Sequence, residues 1–145
     1  MPQLNPVGVL FFMKGNAGWV GVDLDGTLAV YDGWKGVEHI GFPIPIMLKY
    51  VKELLHQGVE VRIFTARVQE GARAIKAIEE WCVKHVGQVL KITATKDMNM
   101  VFCVDDRAVS VQRNTGVFLV APPSVEDIHN HWNDPNAPPK EFKND

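Results

Sequence analysis

Residues 19–28 read Trp-Val-Gly-Val-Asp-Leu-Asp-Gly-Thr-Leu, and the fold follows from how this stretch is built and where its pattern recurs. Trp19 to Leu24 is a short apolar run ending in acid, the pattern of a strand buried in a parallel sheet. Beyond it, Tyr31-Asp32-Gly33 marks a turn. Pro45 suits a first helical turn and Gly58 its stop; between them Ile46, Met47, Tyr50, Val51, Leu54 and Leu55 form an apolar stripe. Val59 to Thr65 is a second strand. Glu70 to Val86 predicts a helix, with Ala74, Ile75, Ile78, Cys82 and His85 at helical spacing and Gly87 as its stop. Val89 to Ile92, Met100 to Val104 and Val117 to Val120 read as third, fourth and fifth strands. Ser124 to Asp127 is a capping box opening a short last helix. Ala108 to Gly116 is open between a strand, on the alternation of Val109, Val111 and Arg113, and a crossover helix.

Strand–helix–strand alternation predicts a doubly wound α/β sheet with right-handed crossovers. We place one domain at 19–132, an N-terminal extension at 1–18 and a polar tail with three Pro at 133–145. In the extension, Val7 to Met13 is apolar, but its first basic residue, Lys14, follows the run. That order argues against a signal peptide and leaves an edge strand, a leader, or a chain starting at Met13.

The 145 residues hold 15 Lys plus Arg and 17 Asp plus Glu, a net charge of −2, with 46% hydrophobic and 22% charged residues. This balance excludes a disordered chain and gives no reason to expect nonspecific binding to DNA or to an anionic membrane. No apolar run approaches the ~20 residues of a membrane span. Cys82 and Cys103 lack CxxC spacing and lie in apolar stretches, which predicts reduced core thiols and a cytoplasmic protein.

Ligands of open α/β sheets bind beyond the carboxyl ends of the strands, and the polar residues gather there. Strand one ends in Asp23-Leu24-Asp25-Gly26-Thr27, strand two in Thr65-Ala66-Arg67, and strand four in Asp105-Asp106-Arg107; Lys96 follows strand three. Carboxylates crowd together only where a cation neutralises them, and Mg²⁺ suits oxygen ligands shared with a phosphate. A carboxylate can also attack phosphorus, a second acid can move the proton, and Thr65 and Lys96 can meet the phosphoryl charge. Arg67 and Arg107 either grip substrate or pair with the site acids, two readings of equal standing. Lys91 is the alternative to Lys96. Trp34 either stacks on a substrate base or packs its loop on the domain. His129 and His131, two apart on a short helix, point in different directions, which disfavours a zinc site.

The residues Asp23-Leu24-Asp25-Gly26-Thr27-Leu28, Thr65, Lys96 and Asp105-Asp106, in this order, resemble the four motifs of the haloacid dehalogenase (HAD) superfamily across residues 19–120. The resemblance implies a Rossmann-like three-layer sandwich on a mostly parallel five-stranded sheet of order 5-4-1-2-3. It implies a Mg²⁺-dependent phosphomonoester hydrolase with an aspartyl-phosphate intermediate: Asp23 nucleophile and metal ligand, Asp25 acid/base and ligand through its carbonyl, Asp106 the third ligand, and Asp105 orienting a coordinated water. Short connections after strands one and three imply no cap domain. The site is then open to a large substrate, unless a second subunit of a homo-oligomer covers it. Gly26, Thr27, Ala66, Arg67, Arg107 and Trp34 would bind substrate. The segments Ile63 to Arg67 and Asp105 to Arg107 are also similar to polynucleotide 3′-phosphatases and deoxyribonucleotidases, which implies a nucleotide or a nucleic-acid 3′-phosphate as substrate. The competing functions are a phospho-accepting receiver module, disfavoured because its adjacent acid pair would come first; a non-catalytic phosphate-binding or scaffold protein on the same fold; and a phosphomutase or other phosphotransferase.

Overall fold

The structure is a computed structural model and describes residues 18–130. The readings made for residues 1–17 and 131–145, including the extension, the tail and His131, lie outside the described residues. The elements are β1 (Trp19–Val22), α1 (Pro45–His56), β2 (Glu60–Phe64), a 3₁₀ turn (Ala66–Glu70), α2 (Ala72–His85), β3 (Lys91–Thr93), β4 (Met100–Val104) and α3 (Val125–His129).

The four strands are parallel, in the order β3-β2-β1-β4. Val20 is in register with Val61 and Phe102, and Val22 with Ile63 and Val104. Side chains in register share a face, so Val20, Val22, Val61 and Ile63 form one apolar surface. Right-handed crossovers bring both α1 and α2 to that surface. There Val51 of α1 and Ile78, Trp81 and Cys82 of α2 complete the core, joined by Leu24 and Leu28 from the loop after β1. Leu24, Leu28, Ile63 and Ile78 are fully buried, each contributing roughly 2 kcal/mol. On the other face Trp19 is also fully buried. Phe64 meets it edge-on at 6.4 Å, the Arg62 guanidinium lies 4.4 Å from its ring centre, and its indole N–H donates to Asp97 at 2.9 Å.

The expected five-stranded sheet of order 5-4-1-2-3 does not form. Val117 to Val120 turns back on the preceding segment instead: Gln112 N–H donates to the Val117 carbonyl at 2.7 Å, Leu119 N–H donates to that of Ser110 at 2.9 Å, and Val111 bridges Phe118 in antiparallel fashion. Asn114 (φ 66°) and Gly116 (φ 79°) supply the left-handed conformations that the reversal needs. A local loop costs less closure entropy than delivering this segment to the free edge of β4. The open question over Ala108 to Gly116 is thereby answered as the arm of a hairpin. Among the described residues no helix separates β3 from β4, and α3 buries nothing, so the expected second helical layer is not formed.

Smaller differences have local causes. Helix α2 starts at Ala72, because Gly71 (φ 96°) breaks it from the 3₁₀ turn. The Ser124 capping box makes both of its hydrogen bonds, Asp127 N–H to Oγ at 3.1 Å and Ser124 N–H to the Asp127 carboxylate at 3.3 Å. Both cysteines are free; Cys82 is in the core, where burial pushes its thiol up to about 11, whereas Cys103 is only half-buried and not a core residue. The connections 23–44 and 94–99 carry no helix and no inserted domain. Among the described residues no helix is long and apolar enough to cross a membrane.

Candidate active site

Asp23, Thr65 and Asp105 each stand one step beyond a strand, the first two held there by an extra rung of the ladder. Asp23 N–H donates to the Val104 carbonyl at 2.9 Å, continuing β1 along β4, and Thr65 N–H donates to the Thr93 carbonyl at 2.9 Å, continuing β2 along β3. The chain then leaves β1 in a tight loop, with Ala29 N–H donating to the Leu24 carbonyl at 2.8 Å and Gly26 N–H to that of Ala29 at 2.8 Å. Gly26 is required twice in this loop. Its φ is 89°, and a Cβ there would stand 2.6 Å from the Asp106 Oδ2.

The loop and the end of β4 bring Asp23, Asp105 and Asp106 together, with carboxylate oxygens within 4.8 Å of one another. Thr27 locks the arrangement. Its hydroxyl donates to Asp106 Oδ1 at 2.8 Å, the nearer of two acceptors (Asp23 Oδ2 is at 3.3 Å), and accepts the Asp106 N–H at 2.9 Å. Asp105 Oδ1 accepts the Arg107 N–H at 2.8 Å. Burial, then a hydrogen bond with Asp106 and the charges of Asp105, Asp106 and Asp25, push the Asp23 carboxyl up to about 8. This is the signature expected of acids crowded without a counter-charge. An all-oxygen donor set at this spacing fits a hard divalent cation such as Mg²⁺.

Asp23 and Asp105 also line a cavity of about 420 Å³ together with Phe64, Thr65, Ala66, Gln69, Ala94 and Arg107. Thr65 is 4% exposed and caps the 3₁₀ turn by accepting the Arg67 N–H at 3.1 Å. The cavity therefore gathers Asp23, Thr65, Ala66, Asp105 and Arg107 from the sequence-predicted set, with Gly26, Thr27 and Asp106 directly behind. Phe64, Gln69 and Ala94 were missed; the ends of strands two and three were legible, but nothing in those residue types marks a binding wall.

Four further predicted site residues stand outside this lining: Lys96, Arg67, Trp34 and Asp25, both of whose carboxylate oxygens accept from Arg67. Lys96 is exposed, outside the cavity lining and paired with none of the acids among the described residues; the cation in the lining is Arg107. Its rival Lys91 sits at the opposite, amino end of the sheet, 3.8 Å from Glu60. Arg67 is only 5% exposed and is a partner of an acid, the second of the two roles open to it. Its Nε donates to Asp25 Oδ2 at 2.7 Å and its Nη2 to Asp25 Oδ1 at 2.9 Å, while Nη1 and Nη2 also donate to the carbonyls of Val37 and His39 at 3.2 and 2.9 Å. Trp34 is half-buried, outside the lining, with its ring centre 4.9 Å from the Arg67 guanidinium. Of the two alternatives posed for it, the packing of its loop on the domain is the one seen: it packs on a buried residue one contact removed from the acids. Burial, then the Asp25 charge, push the Tyr31 phenol up.

No protein-family profile matches this chain, and no curated protein sequence matches it. A solved structure of a conserved protein from Bacteroides thetaiotaomicron superposes on 81% of this chain and 91% of its own, at 22% identity and a TM-score of 0.44, a likeness too distant to carry an assignment.

Proposed function

We propose that the chain is a Mg²⁺-dependent phosphomonoester hydrolase of the HAD type. The observation that carries this reading is the convergence of Asp23, Asp105 and Asp106 within 4.8 Å, two of them lining a cavity together with Thr65 and Arg107. Asp23, Asp106 and Asp105 are the residues that would hold the cation, with the Asp25 carbonyl as a further donor. Bound there, Mg²⁺ would lower the repulsion between the phosphate and the attacking carboxylate.

The chain's own groups supply the rest. A carboxylate oxygen of Asp23 attacks phosphorus in line with the ester oxygen, which leaves as the P–O bond breaks, and an aspartyl phosphate forms. Thr65, whose hydroxyl already accepts from Arg67 N–H, keeps its own proton for a phosphoryl oxygen. Arg107 meets the remaining phosphoryl charge, the duty expected of Lys96. Asp25 hands a proton to the leaving oxygen and takes one from the water that then cleaves the acyl phosphate. Among the described residues neither connection that would carry a cap does so, which suits a large ester.

The test is hydrolysis of p-nitrophenyl phosphate and of a panel of nucleotides, sugar phosphates and 3′-phosphorylated oligonucleotides, with Mg²⁺ and with EDTA. Mg²⁺-dependent release of phosphate that Asp23→Asn reduces at least a thousandfold supports the reading. Turnover by Asp23→Asn within tenfold of the parent refutes it. Phosphate binding without turnover anywhere on the panel would favour the non-catalytic alternative.

A further inference from the structure

The loop after the first motif leaves the core and returns to it at tied ends. Val30 N–H donates to the Phe42 carbonyl at 2.9 Å, Ile44 N–H to that of Leu28 at 2.8 Å, and the Trp81 indole N–H to the Gly41 carbonyl at 2.9 Å. Its middle is held from inside by Arg67 and, at the surface, by Arg73, whose guanidinium donates to the Glu38 carboxylate at 3.1 Å. Arg67 spends two donors on the carboxylate of Asp25 and two on the carbonyls of Val37 and His39, and carries Trp34 against its face. A fork of this kind fixes the plane and the position of a carboxylate, which a lysine or an amide cannot do. Four of the five guanidinium N–H groups of Arg67 are thus engaged within the protein, which sets it apart from a group held ready for phosphate.

We propose that Arg67 is a positioning residue: it sets the Asp25 carboxylate for proton transfer and couples it to the Val37–His39 loop. This rests on the phosphohydrolase reading above. The sequence admitted a substrate grip for Arg67 and for Trp34; the geometry points instead to one unit in which Trp34 and the loop act on the reaction through Arg67 and Asp25.

The experiment is a double-mutant cycle of Arg67→Gln with Asp25→Asn, run with Mg²⁺ on an alkyl phosphate and on p-nitrophenyl phosphate. Arg67→Lys serves as the conservative variant, and a circular-dichroism melt of each protein confirms that it is folded. If Arg67 acts through Asp25, Arg67→Gln lowers kcat on the alkyl ester about thirtyfold with KM within threefold. The loss is smaller on p-nitrophenyl phosphate, whose leaving group needs less help, and Arg67→Lys recovers part of it. In the Asp25→Asn background Arg67→Gln costs less than threefold more, because its target is already gone. Losses that multiply in the double mutant, or a tenfold rise in KM with kcat intact, overturn the role. Hydrogen exchange adds a readout free of turnover: Arg67→Gln speeds exchange across residues 36–40, and unchanged exchange overturns the coupling to the loop. A parent protein that hydrolyses none of the esters overturns the phosphohydrolase reading, and this role with it. A parent that hydrolyses them with multiplicative losses overturns this role alone.

Discussion

Replacing Asp23 by Asn should stabilise the metal-free protein while ending turnover. The carboxyl is held up at about 8, against 3.8 in the unfolded chain. Between those values the folded form keeps a proton that the unfolded chain gives up. This contribution to stability is intact below pH 3.8 and is lost as pH rises to about 8. Four pH units at ~1.4 kcal/mol each set a ceiling of roughly 6 kcal/mol. Side-chain relaxation and counter-ions drawn from solution recover part of it, so we take about 3 kcal/mol at pH 8.5 and close to zero at pH 4. For a domain of this size that is a rise in Tm of roughly 5–10 °C for Asp23→Asn at the alkaline end. Asn has nearly the same volume and no ionisation, so titrating groups remote from the acid cluster cancel in the difference between the two proteins. The assay is a set of thermal melts in EDTA from pH 4 to 8.5. Added Mg²⁺ should raise the parent's Tm at pH 8.5 and leave the Asn variant almost unmoved. Parallel pH profiles for the two proteins, or a less stable Asn variant at pH 8.5, would refute the argument that crowding and burial strain this carboxyl.

Other outcomes follow from the same geometry. Mg²⁺ affinity, measured by calorimetry, should strengthen close to tenfold per pH unit between pH 6 and 8, as the proton on Asp23 is displaced, and flatten above; a flat profile would remove Asp23 from the ligand set. Gly26→Ala meets both an unfavourable φ and the Asp106 carboxylate, and should cost about 2 kcal/mol or more in urea melts together with most of the Mg²⁺ affinity. Thr27→Val leaves the Asp106 N–H unpartnered and should cost roughly 1–3 kcal/mol, with a weaker metal site by the same calorimetry. Trp34→Ala should lower kcat rather than raise KM, in step with Arg67→Gln, since its contact is with the guanidinium and not with the cavity.

The parts of the fold legible in the sequence were those fixed by short-range patterning. Pro45 and the apolar stripe behind it gave α1, and the apolar runs ending in acid gave β1 and β4. The fifth strand was not legible, because an apolar run such as Val117 to Val120 satisfies a hairpin as well as a sheet edge. What decided between them was the Asn114–Gly116 reversal, a matter of backbone conformation rather than of hydrophobicity. The acids of the candidate site were legible because they sit at strand ends, whose direction in a parallel sheet is common to all. Lys96 was placed by spacing alone, in a connection whose course depends on partners far along the chain. For Trp34 the packing of its loop on the domain was legible, but not its partner Arg67, which lies far along the chain. The wall made by Phe64, Gln69 and Ala94 gave no signal, because a cavity is defined by what is missing between elements.

The extra rungs at Asp23 and Thr65 turn the sheet into the clamp of its own chemistry. A charge added to or removed from the acids cannot be absorbed by a swinging loop, since Asp23 is pinned to the Val104 carbonyl and Asp106 to Thr27. Strain there passes into the β1–β4 pair at the edge of the sheet. If the site takes a cation, filling it should tighten β1 against β4 and emptying it should loosen the same seam. The amide hydrogen of Asp23, donated to the Val104 carbonyl across that seam, should then serve as a gauge of occupancy that can be followed without any substrate.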